Sequence, residues 1–290
     1  MNGGFINVLK PPGMTSHDVV GKARHIFQTR RIGHAGTLDP GAAGVLPLAV
    51  GDAARLVEYL ADLGKSYRLE LRFGYETDTG DETGRIVRKL DTDFDLPSSA
   101  RIQEALQAMT GEIYQRPPAY SAVKVHGVRA YKLAREQQAL TLPMRLVQIH
   151  SLRIYAREEK LLRLDIDCSK GTYVRSLCRD LGECLGIPAT MGFLLRTRAG
   201  SFTLSEAHTL EELAMLREQA FIPVSQALAH LPSYTLAAHR KQAFLNGLAT
   251  RVHKALPTGP LRMKCDGDFL GIGRYDPQIN SILPVKAFRD

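Results

Sequence analysis

The chain has 290 residues, 44% hydrophobic and 23% charged, the balance of a soluble globular protein rather than a membrane-spanning or disulfide-built one. Its formal net charge of +8 points to an anionic partner, nucleic acid above all. Cys168, Cys178, Cys184 and Cys265 form no C-x-x-C pair and have no histidines at metal spacing, so they read as reduced thiols in a cytoplasmic protein. The N-terminal residues lack the apolar core of a signal peptide, and no apolar run approaches the ~20 residues that span a bilayer.

In chain order, Phe5 to Leu9 reads as a short strand ended by Lys10-Pro-Pro-Gly13. Thr15 and Asp18 have the spacing of a capping box. Val19, Val20, Ala23, Ile26 and Phe27 then recur at helical period. Residues 32–50 pack Gly33, Gly36, Gly41 and Gly44 around His34 and Asp39, then run on as an apolar stretch suited to burial. Gly51-Asp52 opens a second predicted helix through Ala53, Leu56, Val57 and Leu60. Lys65 to Phe73 alternates with period two, placing Tyr67, Leu69, Leu71 and Phe73 on one face of a half-buried strand.

Gly74 to Gly84 is polar and acidic and reads as a solvated turn; Asp78, Asp81 and Glu82 lack the spacing of a calcium loop. Ile102 to Met109 predicts a helix. From Arg116 to Gly127 the chain is extended and interleaves aromatic with basic residues, and Arg129, Tyr131, Lys132 and Arg135 continue the mixture on a helix. Such interleaving suits RNA, whose phosphates meet cations and whose bases stack on rings; an ordinary amphipathic surface is the alternative. Leu162, Leu164, Ile166 and Cys168 alternate as a strand. Val174, Leu177, Cys178, Leu181 and Leu185 mark a helix closed by Gly186 and Pro188. Arg175 falls in its first turn, where the helix dipole disfavours a cation, so a carboxylate partner is expected. Arg179 and Asp180 read as surface charges. A second unit is expected from about His230, with a short helix at residues 241–247 and short strands separated by Gly267, Gly271 and Gly273. That is the pattern of a small β-barrel, here carrying Arg251, Lys254, Arg262, Lys264, Arg274, Lys286 and Arg289.

Asp39 is the residue these elements surround. Pro40 pushes it toward an extended conformation, and the glycines permit a tight loop with close approach of a ligand. Taken alone, Asp-Pro-Gly is a turn sequence. A lone carboxylate beside basic residues at the edge of a buried strand is equally the makings of a nucleophile.

Six motifs in order decide between these readings. Lys10-Pro-Pro-Gly-Met-Thr-Ser16, Gly33-His-Ala-Gly-Thr-Leu-Asp-Pro40, Lys65-Ser-Tyr67, Gly74 to Gly84, Arg116-Pro-Pro-Ala-Tyr-Ser-Ala122 and Ser169-Lys-Gly-Thr-Tyr-Val-Arg175 resemble the TruB family of tRNA pseudouridine synthases. The likeness is close over residues 5–205 and looser in the tail. It implies an α+β fold: a pseudouridine synthase catalytic domain with a mixed, mainly antiparallel sheet (residues 1–229), an RNA-contacting arm at about residues 104–152, and a small C-terminal PUA-like β-barrel (residues 230–290). It also implies isomerisation of uridine 55 in the TΨC loop of tRNA, by a monomer with no metal, cofactor, membrane or protein partner.

Carried over position by position, Asp39 matches the catalytic aspartate, Tyr67 the tyrosine that stacks on the base, and Arg175 the arginine paired with the aspartate. Tyr173 and Leu194 resemble further residues of the uracil pocket, His34 a residue that holds the flipped nucleotide, and Lys10 and Lys65 basic positions close to the RNA. Gly41, Ala43 and Leu195 depart from the family pattern, which has a bulkier residue, a hydroxyl and a first arginine there. Two other classes of function use similar features. A non-catalytic tRNA-binding or tRNA-folding protein would need the basic surface but not Asp39. An aspartyl phosphotransferase would need further metal-binding carboxylates near Asp39, and neither Asp18 nor Asp52 is placed for that.

Overall fold

A computed structural model describes residues 3–61, 63–91, 93–121, 123–125, 127–130, 133 and 142–288. The first part of the chain gives strand β1 (Phe5–Lys10), helix α1 (Ser16–Ile26), β2 (Ile32–His34), β3 (Ala43–Val50), α2 (Glu58–Ala61) and β4 (Lys65–Phe73). Next come β5 (Tyr75–Thr77), β6 (Ile86–Lys89), α3 (Ser99–Ala108), β7 (Gly111–Gln115), β8 (Lys124–Val125), β9 (Val128–Arg129), β10 (Arg145–Glu158) and β11 (Leu161–Cys168). Helix α4 (Val174–Leu185), β12 (Ala189–Ala199), β13 (Phe202–Thr203), α5 (Leu210–Leu216) and α6 (Val224–Ala227) complete the larger unit. The tail holds β14 (Ser233–Thr235), α7 (Lys241–Leu245), β15 (Thr250–Arg251), β16 (Pro260–Cys265), β17 (Asp268–Asp276) and β18 (Ser281–Ala287).

Among the described residues the larger unit is built on one sheet with the order β1-β3-β12-β4-β11-β10-β7, with β2 beside β3 and β13 beside β12. Its pairings are antiparallel except β12 with β3, the mixed, mainly antiparallel sheet expected. The period of two on β4 is realised in full: Tyr67, Leu69, Leu71 and Phe73 are buried under α3 and α4 in the main core. β3 is buried on both faces. Val45 and Ala49 point into one cluster, Leu46, Leu48 and Val50 into another, which is why its sequence is apolar throughout rather than alternating. Thr15 and Asp18 cap α1 reciprocally, as their spacing predicts.

The segment after β3 differs from the single helix predicted there. It forms a 3₁₀ turn over Gly51–Leu56 before α2, the tighter winding common in short connectors. The predicted arm is also too wide. Residues 104–115 and 145–152 lie in or beside α3, β7 and β10, with Ala105, Leu106, Ile149 and Leu152 buried in the main core. Ala122, His126, Tyr131, Lys132 and Arg135, between β7 and β10, and Arg289 of the tail, lie outside the described residues. No helix among the described residues is long and apolar enough to cross a membrane.

The tail forms a five-stranded sheet, β14-β16-β17-β18-β15, around Phe244, Met263, Cys265 and Ile282. Ile272 and Phe288 leave this core and join Phe5, Ala53 and Leu56 of the larger unit. Lys286 pairs with Glu58 at 2.6 Å and donates to the Arg55 carbonyl. Arg262 donates to the carbonyls of Leu231, Ser225 and Ala229. Two of the basic residues expected to face RNA therefore fasten the tail to the body, while Arg251, Lys254 and Arg274 are exposed.

Gly44 marks the point where β3 meets β12. Its φ is +111°, and a Cβ there would lie 2.2 Å from the Arg196 carbonyl oxygen. Gly44→Ala is expected to cost about 3 kcal/mol or more of stability, read as a lowered urea midpoint with unchanged m-value. Gly41 has no such constraint, since a Cβ there would meet only Thr83 at 3.9 Å.

Candidate active site

The Asp39 loop is held through its carbonyls. The Ser16 hydroxyl accepts from Leu38 N at 2.9 Å and donates to Leu38 O at 3.1 Å. Asp39 O accepts from Ala42 N, and Pro40 O from Gly13 N. Lys10 Nζ donates to the carbonyls of Pro11, Pro40 and Ala42 at 2.9, 3.2 and 2.6 Å. Arg196 Nη2, Nη1 and Nε donate to Gly36, Thr37 and Val45 at 3.1, 3.3 and 2.6 Å. The loop is thus fixed by side chains from β1, α1 and β12, and its one carboxylate is left for other work.

Asp39 and Arg175 meet, so the carboxylate that the first-turn position of the arginine calls for is the one the resemblance implies. The contact is a fork: Nε to Oδ2 at 3.0 Å and Nη2 to Oδ1 at 3.2 Å. Arg175 is buried, while Asp39 keeps a third of its side chain exposed. The remaining donors of Arg175 bind Thr79 O at 2.9 Å and Tyr120 O at 2.8 Å. The Gly74–Gly84 stretch is therefore a wall of the site, not a solvated turn. Asp81 knots that wall by accepting from the hydroxyls of Thr79 and Thr83.

Burial pushes the Asp39 carboxyl above its usual range; Arg175 opposes this, Asp81 adds to it and Lys10 opposes it. The expected depression by Arg175 is thus present but outweighed by desolvation. A more basic carboxylate is also the better nucleophile once ionised.

Tyr67 lies on β4 opposite Arg196 in register, buried beside Leu194, Leu38 and Ala42. Burial raises its hydroxyl pKa, and the positive charge of Arg196 opposes that rise. Burial also lowers the pKa of His34, with Arg196 adding to the effect. His34 is thereby kept neutral, and its buried Nδ1 has no hydrogen-bond partner among the described residues. Tyr173 precedes α4, donates its backbone N–H to Gln115 Oε1 at 2.7 Å, and packs on Val123, Ala130 and Leu142.

The two lysines stand elsewhere than expected. Lys10 is fully buried under the loop it holds. Lys65 is buried, donates to Ala61 and Leu63 carbonyls, and passes its Cε 3.4 Å from the Cβ position of Gly36. Both brace the site from inside.

Burial pulls Lys10 from 10.5 to about 8, with Asp39 opposing and Arg196 adding. Between those values the unfolded chain binds more protons than the folded one, so this group adds stability as pH rises. Urea denaturation should show the stability of wild type relative to Lys10→Met increasing from about pH 7.5 to about pH 9.5.

Arg196, Ser16 and Gln115 were not singled out by the sequence as site residues. Arg196 alone left a signal: a charge at an inward position of a strand whose register partners are Tyr67 and Gly44.

Comparison with known proteins agrees with this geometry. The model of the TruB family pseudouridylate synthase (N terminal domain) matches residues 24–174, and that of the tRNA pseudouridylate synthase B C-terminal domain matches residues 175–229. The boundary between them falls inside α4. The tRNA pseudouridine synthase B of Heliobacterium modesticaldum is 46% identical over 254 residues, 85% of this chain and 81% of the relative. That of Moorella thermoacetica is 44% identical over 292 residues, covering 98% and 94%. Among solved structures, a Cbf5-Nop10-Gar1 complex contains a chain matched with a TM-score of 0.75 at 26% identity, over 99% of this chain and 84% of that one. With a single carboxylate held in an arginine fork on a loop braced from within, and with the two family models matched over residues 24–229, this chain belongs to the TruB family of pseudouridylate synthases.

Proposed function

We propose that the protein converts uridine 55 in the TΨC loop of tRNA to pseudouridine, acting in the cytoplasm as a monomer without metal or cofactor. The Asp39–Arg175 fork, set in a TruB-family fold, is the observation that carries this reading. The reaction breaks the bond from ribose C1′ to uracil N1 and forms one from C1′ to C5; N1 gains a proton and the C5 hydrogen leaves to solvent. No electrons are exchanged with an outside partner.

One carboxylate suffices for this chemistry, by attack of an Asp39 oxygen on the ribose or on the uracil ring. Arg175 aims that oxygen and supports its charge. The target base must leave its stack, at a cost of a few kcal/mol, offset by stacking on Tyr67 and by contacts to the basic surface. Neutral His34 helps hold the flipped nucleotide, and Leu194 and Tyr173 line the uracil pocket. Exposed Arg251, Lys254 and Arg274 meet phosphates of the tRNA stem, which makes binding weaken as salt rises.

The test is release of tritium from C5 of labelled uridine in an unmodified TΨC stem-loop, in chelator. One equivalent released per RNA supports the isomerase. Tight binding with no release would favour a tRNA-binding or tRNA-folding protein.

A further inference from the structure

Arg196 is the largest fully buried side chain among the described residues. Its guanidinium donates to the carbonyls of Gly36, Thr37 and Val45 and its backbone lies opposite Tyr67 in register, with no carboxylate in ion-pair range among the described residues. An unpaired buried cation is costly, and a leucine would fill a strand interior without that cost. The planar guanidinium has what leucine lacks, a rigid fork of donors that satisfies several acceptors at once. Those acceptors and that register partner belong to the two parts of the site that must be aligned. Gly36, Thr37 and Val45 bracket Asp39, and Tyr67 is the expected stacking ring. β12 also lies between β3 and β4 in the sheet, so Arg196 sits at the single strand that joins nucleophile and platform.

We propose that Arg196 is a positioning residue for the isomerisation, fixing the Asp39 loop and the Tyr67 ring in one frame. The proposal rests on the isomerase reading above. It differs from a phosphate contact, for which a fully buried side chain has no access.

Arg196→Met and Arg196→Lys in the full-length protein test it, by single-turnover tritium release at saturating stem-loop RNA and RNA binding over a salt series. Amide exchange of the loop is followed in parallel. The Met variant is expected to react about 100-fold more slowly with RNA affinity within about threefold of wild type. The Lys variant should recover about tenfold of that loss, since it keeps charge but loses the fork. Exchange at Ala35, Leu38 and Ala42 should quicken while Ile6 and Val8 stay protected.

Unchanged rates in both variants would overturn the proposal. So would a loss confined to affinity with a salt slope reduced by about one, the mark of a phosphate contact. If the Met variant fails to fold, the Lys variant decides: a rate within about twofold of wild type overturns the idea. Wild type run alongside separates the two readings, because its inactivity would sink the isomerase itself.

Discussion

Asp39→Asn should lower the rate of tritium release from a TΨC stem-loop by at least ~10⁴-fold while leaving RNA affinity within about threefold. The amide is nearly isosteric, and its oxygen still accepts from Arg175, so the loop keeps its shape. What is lost is the anionic carboxylate oxygen that the loop's clamps leave free to react. Because the carbonyls around residue 39 are held by Ser16, Lys10 and Arg196, the substitution has no reason to disturb the backbone. A residual rate within about tenfold of wild type would mean that another group does the chemistry.

Arg175→Met should be nearly as severe, through two separable effects. It leaves the Asp39 carboxyl and the carbonyls of Thr79 and Tyr120 without their donor, and breaking such a pair costs about 3 kcal/mol of stability. The rate should fall about 10³-fold. The pH profile should move as well. Burial already raises the Asp39 pKa, and Arg175 is the largest influence opposing it, so its removal raises the pKa further. The nucleophile is the ionised form, hence the acid limb of the rate shifts to higher pH. Arg175→Lys should restore part of that limb but little of the rate, since a compact ammonium cannot reproduce the planar fork to both carboxylate oxygens. An acid limb that stays in place in Arg175→Met would show that the limb reports another group.

The Asp39–Arg175 pair was legible before any coordinates for two reasons: a cation in the first turn of a helix calls for a carboxylate, and the family resemblance named Asp39 as that carboxylate. The face of β4 was legible because period two admits one assignment. What escaped was the inward use of cations. Lys10, Lys65, Arg196, Arg262 and Lys286 look in sequence like surface charge, and a positive total invites that reading. Their acceptors are backbone carbonyls, which every residue has and no sequence pattern marks. The same blindness made residues 74–84 look solvated, since Thr79 serves Arg175 through its carbonyl. The width of the arm was missed for another reason. β7 and the start of β10 lie at the sheet's edge, half exposed, so their composition resembles a projecting segment more than a buried strand.

The order in which the chain is made gives the placement of β12 a further consequence. The carbonyls of Gly36, Thr37 and Val45 wait for a partner 151 to 160 residues downstream, and β3 and β4 cannot join in the sheet until β12 arrives between them. Contacts so distant in sequence form late and slowly. A nascent chain lacking residues 189–199 therefore carries the Gly-Thr-Leu-Asp-Pro segment without the strand that shapes it, so that catalytic competence waits for β12 however early that segment is made.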